Sequence, residues 1–181
     1  MGGLAEAKDR KKSGLKFLFI IYMFNSKIID TIKEKLIDRN EKLSVAESVT
    51  AGFMQAAMAS AELALKFFEG GITTYNINQK VRHLHIDRKK GEECNCVSDQ
   101  TANEMAMGVC ALFGTDWGIA ITGYATKVPE SDFKLFAWFS ICYHGEVKHV
   151  ERIDLKEENP EQAQLKYVDV VTDRFVELLD K

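Results

Sequence analysis

The sequence predicts an α/β fold, a single three-layer domain with a mixed β-sheet covered by helices on both faces. Three observations predict it. The 181 residues are 46% hydrophobic and 28% charged, which suits one water-soluble domain with a full core. Helical and extended patterns alternate along the chain. No stretch rich in Pro, Gly or Ser divides the sequence, and it contains no internal repeat.

The first 25 residues differ from the rest, so we expect an N-terminal extension or tail at 1–25 and the folded domain at 26–181. A basic segment, 8–12, precedes a mostly apolar segment, 15–24, as at the start of a secretory signal. Ten such residues are too few to cross a bilayer, which takes about 20, and no small-residue cleavage site follows. Three interpretations stay open: an upstream extension with the true start at Met23, an additional strand or docking arm, and a targeting segment.

The first half of the domain predicts three helical segments and two strands. Apolar residues at three-to-four spacing predict a helix over 26–40. A short strand is predicted at 43–46, followed by an Ala- and Met-rich helix at 51–61. A further helical piece at 61–68 is expected to stop at a double glycine, and β-branched residues predict a strand at 72–75.

The middle of the chain predicts one long helix and one buried strand. One or two helical turns are predicted at 78–84, and a loop at 85–96, where the sequence is polar and without period. An apolar stripe predicts a helix from Val97 and Ser98 to Gly114. The apolar segment 117–122 predicts a strand.

The C-terminal part predicts a hairpin and a final helix. Two extended segments, 135–143 and 147–153, flank a short connection containing glycine, which is typical of a β-hairpin. The last helix is expected to be capped by Asn159, to begin at Pro160, and to continue to the end of the chain along one apolar face.

Charge and cysteine content exclude some classes of function. Lys and Arg number 24 against 27 Asp and Glu, a net charge of −3, so the basic surface of a nucleic-acid-binding protein is not expected. The four cysteines follow no CxxC spacing and are too few for a disulfide scaffold, which favours the reduced cytoplasm. A metal site built from His83, His85, Cys94 and Cys96 has the right ligand types without a common zinc spacing, so no metal is expected.

One strand-to-helix junction carries the first candidate site. Residues 47–52 read Glu-Ser-Val-Thr-Ala-Gly, with hydroxyls at Ser48 and Thr50. The free N–H groups and the dipole of a helix N-terminus favour an anion or a developing oxyanion. The alternative interpretation is simple helix capping, in which Ser and Thr are the usual residues.

Two further strand ends carry polar residues. Tyr75 and Lys80 place a phenol and an amine five residues apart, and a desolvated lysine beside a serine can act as a general base. The alternative is an ordinary solvated lysine. Residues 119–123 end in Thr122 and Gly123, which indicates either a site at the sheet edge or an ordinary transition to a loop.

Taken in order, these segments resemble the CinA C-terminal domain family. The matching residues are Val-Ala-Glu-Ser-Val-Thr-Ala-Gly at 45–52, Gly-Gly-Ile-Thr-Thr-Tyr-Asn at 70–76 with Lys80, Val-Ser at 97–98 and Ile-Ala-Ile-Thr-Gly at 119–123. Family members carry approximately AESCTGG, GGxxxYSNxxK, VS and ITGIAGPGGG at these places. The resemblance covers about residues 26–179, nearly the whole chain after its N-terminal segment.

The resemblance implies nicotinamide-nucleotide amidohydrolysis, a pyridine-nucleotide salvage step in which nicotinamide mononucleotide (NMN) and water give nicotinic acid mononucleotide and ammonia. It implies Ser48 attacking the carboxamide after deprotonation by Lys80, with N–H groups near Ala51 and Gly52 holding the oxyanion. This scheme needs no cofactor. The implied partners are a pyridine nucleotide or a related amide and a second copy in a homodimer, with neither nucleic acid nor membrane. The residues so implied are, for catalysis, Ser48, Lys80 and Tyr75, and, for substrate binding, Thr50, Ala51, Gly52, Thr122 and Gly123.

The sequence also departs from the family pattern. Residues 124–129 contain no glycine where the family has a Gly-rich stretch able to wrap a phosphate. Leu-Phe at 135–136 replaces Gly-Thr, and Glu-Gln-Ala-Gln at 161–164 stands where an Arg pair is usual. Lys127 supplies at most a point charge. Three functions therefore stay open: NMN amidohydrolase, a catalytically silent nucleotide-binding or interaction module, and an amidase for an amide without phosphate.

Overall fold

The computed structural model describes residues 23–181. Residues 1–22, and with them most of the predicted extension, lie outside the described residues. The described helices are α1 (Ser26–Arg39), α2 (Phe53–Ala59), α3 (Ile77–Leu84), α4 (Arg88–Glu93), α5 (Asp99–Phe113) and α6 (Pro160–Leu179). The strands are β1 (Leu43–Glu47), β2 (Phe68–Thr73), β3 (Trp117–Tyr124), β4 (Leu135–Tyr143) and β5 (Glu146–Leu155).

The five strands form one mixed sheet in the order β2-β1-β3-β4-β5. β1 pairs in parallel with both β2 and β3, and β3-β4 and β4-β5 are antiparallel. Glu47, the last residue of β1, lies opposite Thr73 of β2 and Ile121 of β3. The carboxyl ends of the three parallel strands therefore meet at one edge, the usual place for a ligand in such a sheet.

Helices cover both faces of the sheet, which confirms the predicted three-layer α/β fold. Alternate strand residues point to opposite faces. Val45, Ile119 and Ile141 belong to a core shared with α1, α2 and α6. Their neighbours Ala46 and Ala120 belong to a second core shared with α3 and α5.

Two differences from the prediction concern the segment before the candidate site. The helical piece predicted at 61–68 is a single 3-10 turn, Ala64–Lys66. β2 begins at Phe68 and contains the double glycine instead of following it. A side chain at Gly71 would lie 2.6 Å from atoms of Val45 and Gln55, so glycine permits β2 to pair closely with β1. β2 ends at Thr73, two residues before Tyr75.

Two further differences follow from local backbone conformation. The helix predicted from residue 51 begins at Phe53, because Ala51 and Gly52 have φ values of 51° and 111°, in the left-handed region. The predicted loop 85–96 contains the short helix α4. The Asp87 side chain caps it by accepting a hydrogen bond from the Lys90 N–H.

The C-terminal predictions are confirmed. β4 and β5 form an antiparallel hairpin whose turn contains His144 and Gly145, both with positive φ. Asn159 caps α6 by accepting from the Gln162 N–H, and Pro160 is its first residue. No helix within residues 23–181 is long and apolar enough to cross a membrane.

Candidate active site

A cavity of about 730 Å³ opens at the edge where the parallel strands end. Ser48 and Val49 line it directly after β1, Tyr75 after β2, and Thr122 near the end of β3. α3 and α4 contribute further lining residues. Its size is within the range of about 300–1,000 Å³ common for small-molecule sites.

Ser48 and Lys80 are in direct contact inside this cavity. The Lys80 Nζ lies 2.8 Å from the Ser48 Oγ and donates to the Thr74 carbonyl at 2.7 Å. Relative exposure is 8% for Ser48 and 2% for Lys80, so both side chains are shielded from bulk water. The Ser48 N–H donates to the Ile121 carbonyl at 3.1 Å, which fixes the serine against β3.

Burial adjusts the protonation of this pair. Desolvation lowers the pKa of Lys80 to about 8, because an ammonium ion loses its hydration inside the protein. The thiol of Cys96 also lines the cavity, and burial raises its pKa. About a tenth of Lys80 at pH 7, and about half at pH 8, is therefore a neutral amine. A neutral amine can accept a proton from Ser48.

Tyr75 does not join this pair. It lines the cavity but is 75% exposed, at the opening. Within the described residues its hydroxyl makes no hydrogen bond to Ser48 or Lys80. The structure therefore brings together two of the three residues predicted to be catalytic and places the third at the entrance.

Thr50, Ala51 and Gly52 lie outside the cavity lining, which differs from their expected role. Thr50 is fully buried, and its hydroxyl donates to the Glu47 Oε2 at 2.6 Å. The Gly52 N–H donates to the same oxygen at 3.0 Å, and the Ala51 N–H donates to the Ser48 carbonyl at 3.3 Å. The N–H groups expected to hold an oxyanion are thus already bonded within the protein.

Glu47 is the residue whose role sequence reasoning missed. Its fully buried carboxylate accepts five hydrogen bonds at the start of α2. The donors are the Thr50 hydroxyl, the N–H groups of Gly52, Met54 and Gln55, and the Gln55 side-chain amide. A glutamate a few residues before a helix start could have indicated this, because a helix N-terminus stabilises a carboxylate. Glu47 thereby fixes the turn that carries Ser48.

Thr122 and Gly123 line the cavity as expected, on the β3 side. The fully buried Thr122 hydroxyl donates to the Cys96 carbonyl at 2.7 Å, so it ties the loop after α4 to the sheet. A side chain at Gly123 would lie 2.4 Å from the Phe136 carbonyl, so glycine permits the close approach of β4. Both residues shape the cavity, and the contacts of Thr122 are structural.

The segment after Gly123 is held by side chains. The Tyr124 carbonyl accepts a hydrogen bond from the Tyr167 hydroxyl at 2.9 Å, and the Asn95 amide donates to the Tyr124 hydroxyl at 2.9 Å. Gln164 of α6 also lines the cavity, and its amide donates to the Val49 carbonyl at 2.9 Å. Lys127 pairs with Glu157 at 2.6 Å and is not part of the lining.

The possible metal ligands of the sequence are not gathered into a site. Across residues 23–181, no group of three or more His, Cys, Asp or Glu side chains is placed to hold a metal ion. His83 contacts the Gln79 side-chain oxygen at 3.0 Å, and the Cys94 thiol donates to the Lys90 carbonyl at 3.2 Å.

Fold and site together define an open α/β domain with a buried serine–lysine pair in a cavity at the carboxyl edge of its sheet. The sequence model of the CinA C-terminal domain family matches residues 25–179. The chain belongs to this family.

Known relatives agree with this assignment. A CinA-like protein of Synechocystis is 40% identical over 126 residues, which are 68% of this chain and 30% of that protein. A putative competence-damage inducible protein of Streptococcus agalactiae is 39% identical over 117 residues, 65% of this chain and 27% of that protein. The matched part of the chain therefore spans less than a third of the length of these relatives. The crystal structure of competence damage-inducible protein A from Klebsiella pneumoniae superposes with a TM-score of 0.81 at 25% identity, covering 86% of this chain and 96% of that one.

Proposed function

We propose that the protein is an amide hydrolase that converts the carboxamide of a nicotinamide nucleotide or of a related amide, with NMN as the reference substrate, into a carboxylic acid and ammonia. One observation carries the proposal: the buried contact of 2.8 Å between the Lys80 Nζ and the Ser48 Oγ inside a cavity of small-molecule size. Burial of a lysine costs desolvation free energy, and lysines buried in this way are concentrated at functional sites.

The proposed reaction has two halves, as in other serine hydrolases. Neutral Lys80 takes the hydroxyl proton of Ser48, and the Ser48 Oγ bonds to the carboxamide carbon. The resulting ammonium of Lys80 returns that proton to the amide nitrogen, the carbon–nitrogen bond breaks, and ammonia leaves an ester on Ser48. Lys80 then takes a proton from water, whose oxygen attacks the ester and releases the acid, and the proton returns to the Ser48 Oγ. The scheme requires no cofactor.

The oxyanion of this reaction needs a hydrogen-bond donor other than those of Ala51 and Gly52. The Val49 N–H belongs to the residue next to the nucleophile and to the cavity lining. Within the described residues this N–H makes no backbone hydrogen bond. The residue after the nucleophile supplies such a donor in other hydrolases, so we assign this role to Val49.

Ser48→Ala is expected to abolish ammonia release from NMN, because the variant lacks the oxygen that forms the ester. Loss of a nucleophile lowers kcat by about 10³-fold or more. The measurement is ammonia release by purified protein at pH 8. The matched control is Ser140→Ala, which removes another buried hydroxyl, one with no hydrogen-bond partner within residues 23–181; it should retain activity.

Two results would contradict the proposal. Undiminished ammonia release by Ser48→Ala would exclude Ser48 as the nucleophile. No release from any nicotinamide compound by folded wild-type protein would favour a catalytically silent binding or interaction module.

A further inference from the structure

The charges on the cavity wall are unusual for a site that binds a phosphorylated ligand. Lys80, Glu92 and Glu130 are the charged side chains of the lining, and no arginine belongs to it within the described residues. Lys80 is buried beside Ser48, at the inner end. Glu92 and Glu130 are exposed, so they lie where the cavity opens to solvent. We refer to these two as the mouth carboxylates.

Nearby cations do not reverse the charge of this opening. Arg88 lies 3.6 Å from Glu92 and donates to the Asn78 side-chain oxygen at 3.0 Å, and it is not part of the lining. Glu130 forms no ion pair among residues 23–181. A ligand entering the cavity therefore passes at least one carboxylate without a paired cation before it reaches Ser48.

Side chains already occupy part of the helix N-termini around the cavity. Phosphate groups commonly bind at helix N-termini, where free N–H groups point at the ligand. Four helices begin at or beside the cavity, and in each of them a side-chain oxygen accepts a hydrogen bond from at least one N–H of the first turn. These oxygens belong to Glu47 for α2, Asn76 for α3, Ser98 for α5 and Asn159 for α6. α6 also begins with Pro160, which has no N–H, followed by Glu161.

We propose that the substrate is a carboxamide without phosphate whose remaining part is cationic or neutral and rich in hydroxyls, the chemistry of a pyridinium nucleoside. This inference rests on the proposed amide hydrolysis and specifies its substrate class. The mouth carboxylates attract the pyridinium charge and accept hydrogen bonds from ribose hydroxyls. They repel a phosphate, which carries about −1.5 to −2 charges at neutral pH.

The test compares ammonia release from nicotinamide riboside and from NMN, which differ only by the phosphate. We expect kcat/KM to be at least about tenfold higher for the riboside, since like charges at an entrance work against binding. The double variant Glu92→Gln/Glu130→Gln should reduce this ratio at least about threefold, because it removes both charges. Glu93→Gln is the matched control: it removes a charge from the same helix outside the lining and should leave the ratio unchanged.

Equal or higher kcat/KM for NMN would overturn the substrate inference and leave the amide hydrolase proposal intact. If folded protein releases ammonia from neither compound, the hydrolase proposal fails. The preference that the mouth carboxylates impose is then tested by measuring ligand binding. Calorimetry with Ser48→Ala should show tighter binding of the riboside than of NMN. Tighter or equal binding of NMN, or binding of neither compound, would overturn the inference.

Discussion

Lys80→Met is expected to abolish ammonia release while leaving the protein folded. Methionine keeps an unbranched side chain of similar size and removes the amine that takes the Ser48 proton. Loss of a general base costs about 10²–10⁴-fold in rate, and here the same amine also protonates the leaving group. Steady-state ammonia release at pH 8 measures the effect. Lys89→Met, at an exposed lysine on α4, is the control and should keep wild-type activity.

The same variant should keep about the stability of the wild type at pH 7. Burial lowers the Lys80 pKa from 10.5 to about 8, which corresponds to a cost of about 3 kcal/mol for keeping the ammonium in the folded protein. Methionine removes that cost and gives up the hydrogen bonds that the ammonium donates to Ser48 and Thr74, worth about 1.5–3 kcal/mol each. The gain and the loss are of similar size, so the free energy of unfolding is expected to change little.

The pH dependence of stability gives a second check on Lys80. Between pH 8 and 10.5 the unfolded chain binds more protons at this residue than the folded protein does. The Lys80 contribution to the free energy of unfolding therefore rises with pH through that window and is least favourable below pH 8. The free energy of unfolding is measured in urea for the wild type and for Lys80→Met at each pH. The wild-type value minus the variant value should rise with pH in this window. Retained turnover in the variant, or a difference that does not change with pH, would contradict the role of Lys80.

Glu47→Ala is expected to destabilise the fold strongly. The change deletes the acceptor of five hydrogen bonds. It leaves the N–H groups of Gly52, Met54 and Gln55 without their partner in a largely buried turn. Each buried donor left unsatisfied costs about 1–3 kcal/mol, so a loss of several kcal/mol is expected. The measurement is the free energy of unfolding in urea.

Glu47→Gln keeps this prediction testable if the alanine variant does not fold. Glutamine retains one acceptor oxygen and the side-chain length, so an intermediate loss is expected. Glu34→Ala, at an exposed position of α1, should change stability by less than about 0.5 kcal/mol. Wild-type stability in both Glu47 variants would show that the carboxylate does not hold the Ser48 turn.

The sequence predicts a structural feature correctly where its pattern is compatible with only one arrangement of strands and helices. The alternation of strands and helices predicted a mixed sheet covered by helices, and its parallel strands place their carboxyl ends at one edge. Ser48 and Lys80 follow the two neighbouring strands β1 and β2, so their convergence was predictable. The capped helix α6 and the hairpin also followed from local signals that tertiary contacts reinforce.

The remaining differences arise from contacts that spacing cannot encode. Tyr75 was expected at a strand end, but β2 stops at Thr73, and the phenol is left exposed. The spacing of Ser48, Thr50 and Gly52 does not reveal which way the hydroxyl and N–H donors point. The carboxylate of Glu47, three positions before Thr50 and five before Gly52, decides this, because it accepts hydrogen bonds from both. α4 was missed because all six of its residues are charged or Gly and show no apolar period.

The dependence of kcat/KM for ammonia release on pH tests the serine–lysine assignment most directly, because this parameter reports the ionisation of the free enzyme. With neutral Lys80 as the base, log kcat/KM should rise with a slope of about one at low pH and level off above about pH 8. The substrate carboxamide does not titrate in this range. A profile that is flat from pH 6 to 9, or that levels off near the histidine value of about 6.5, would contradict Lys80 as the group that activates Ser48.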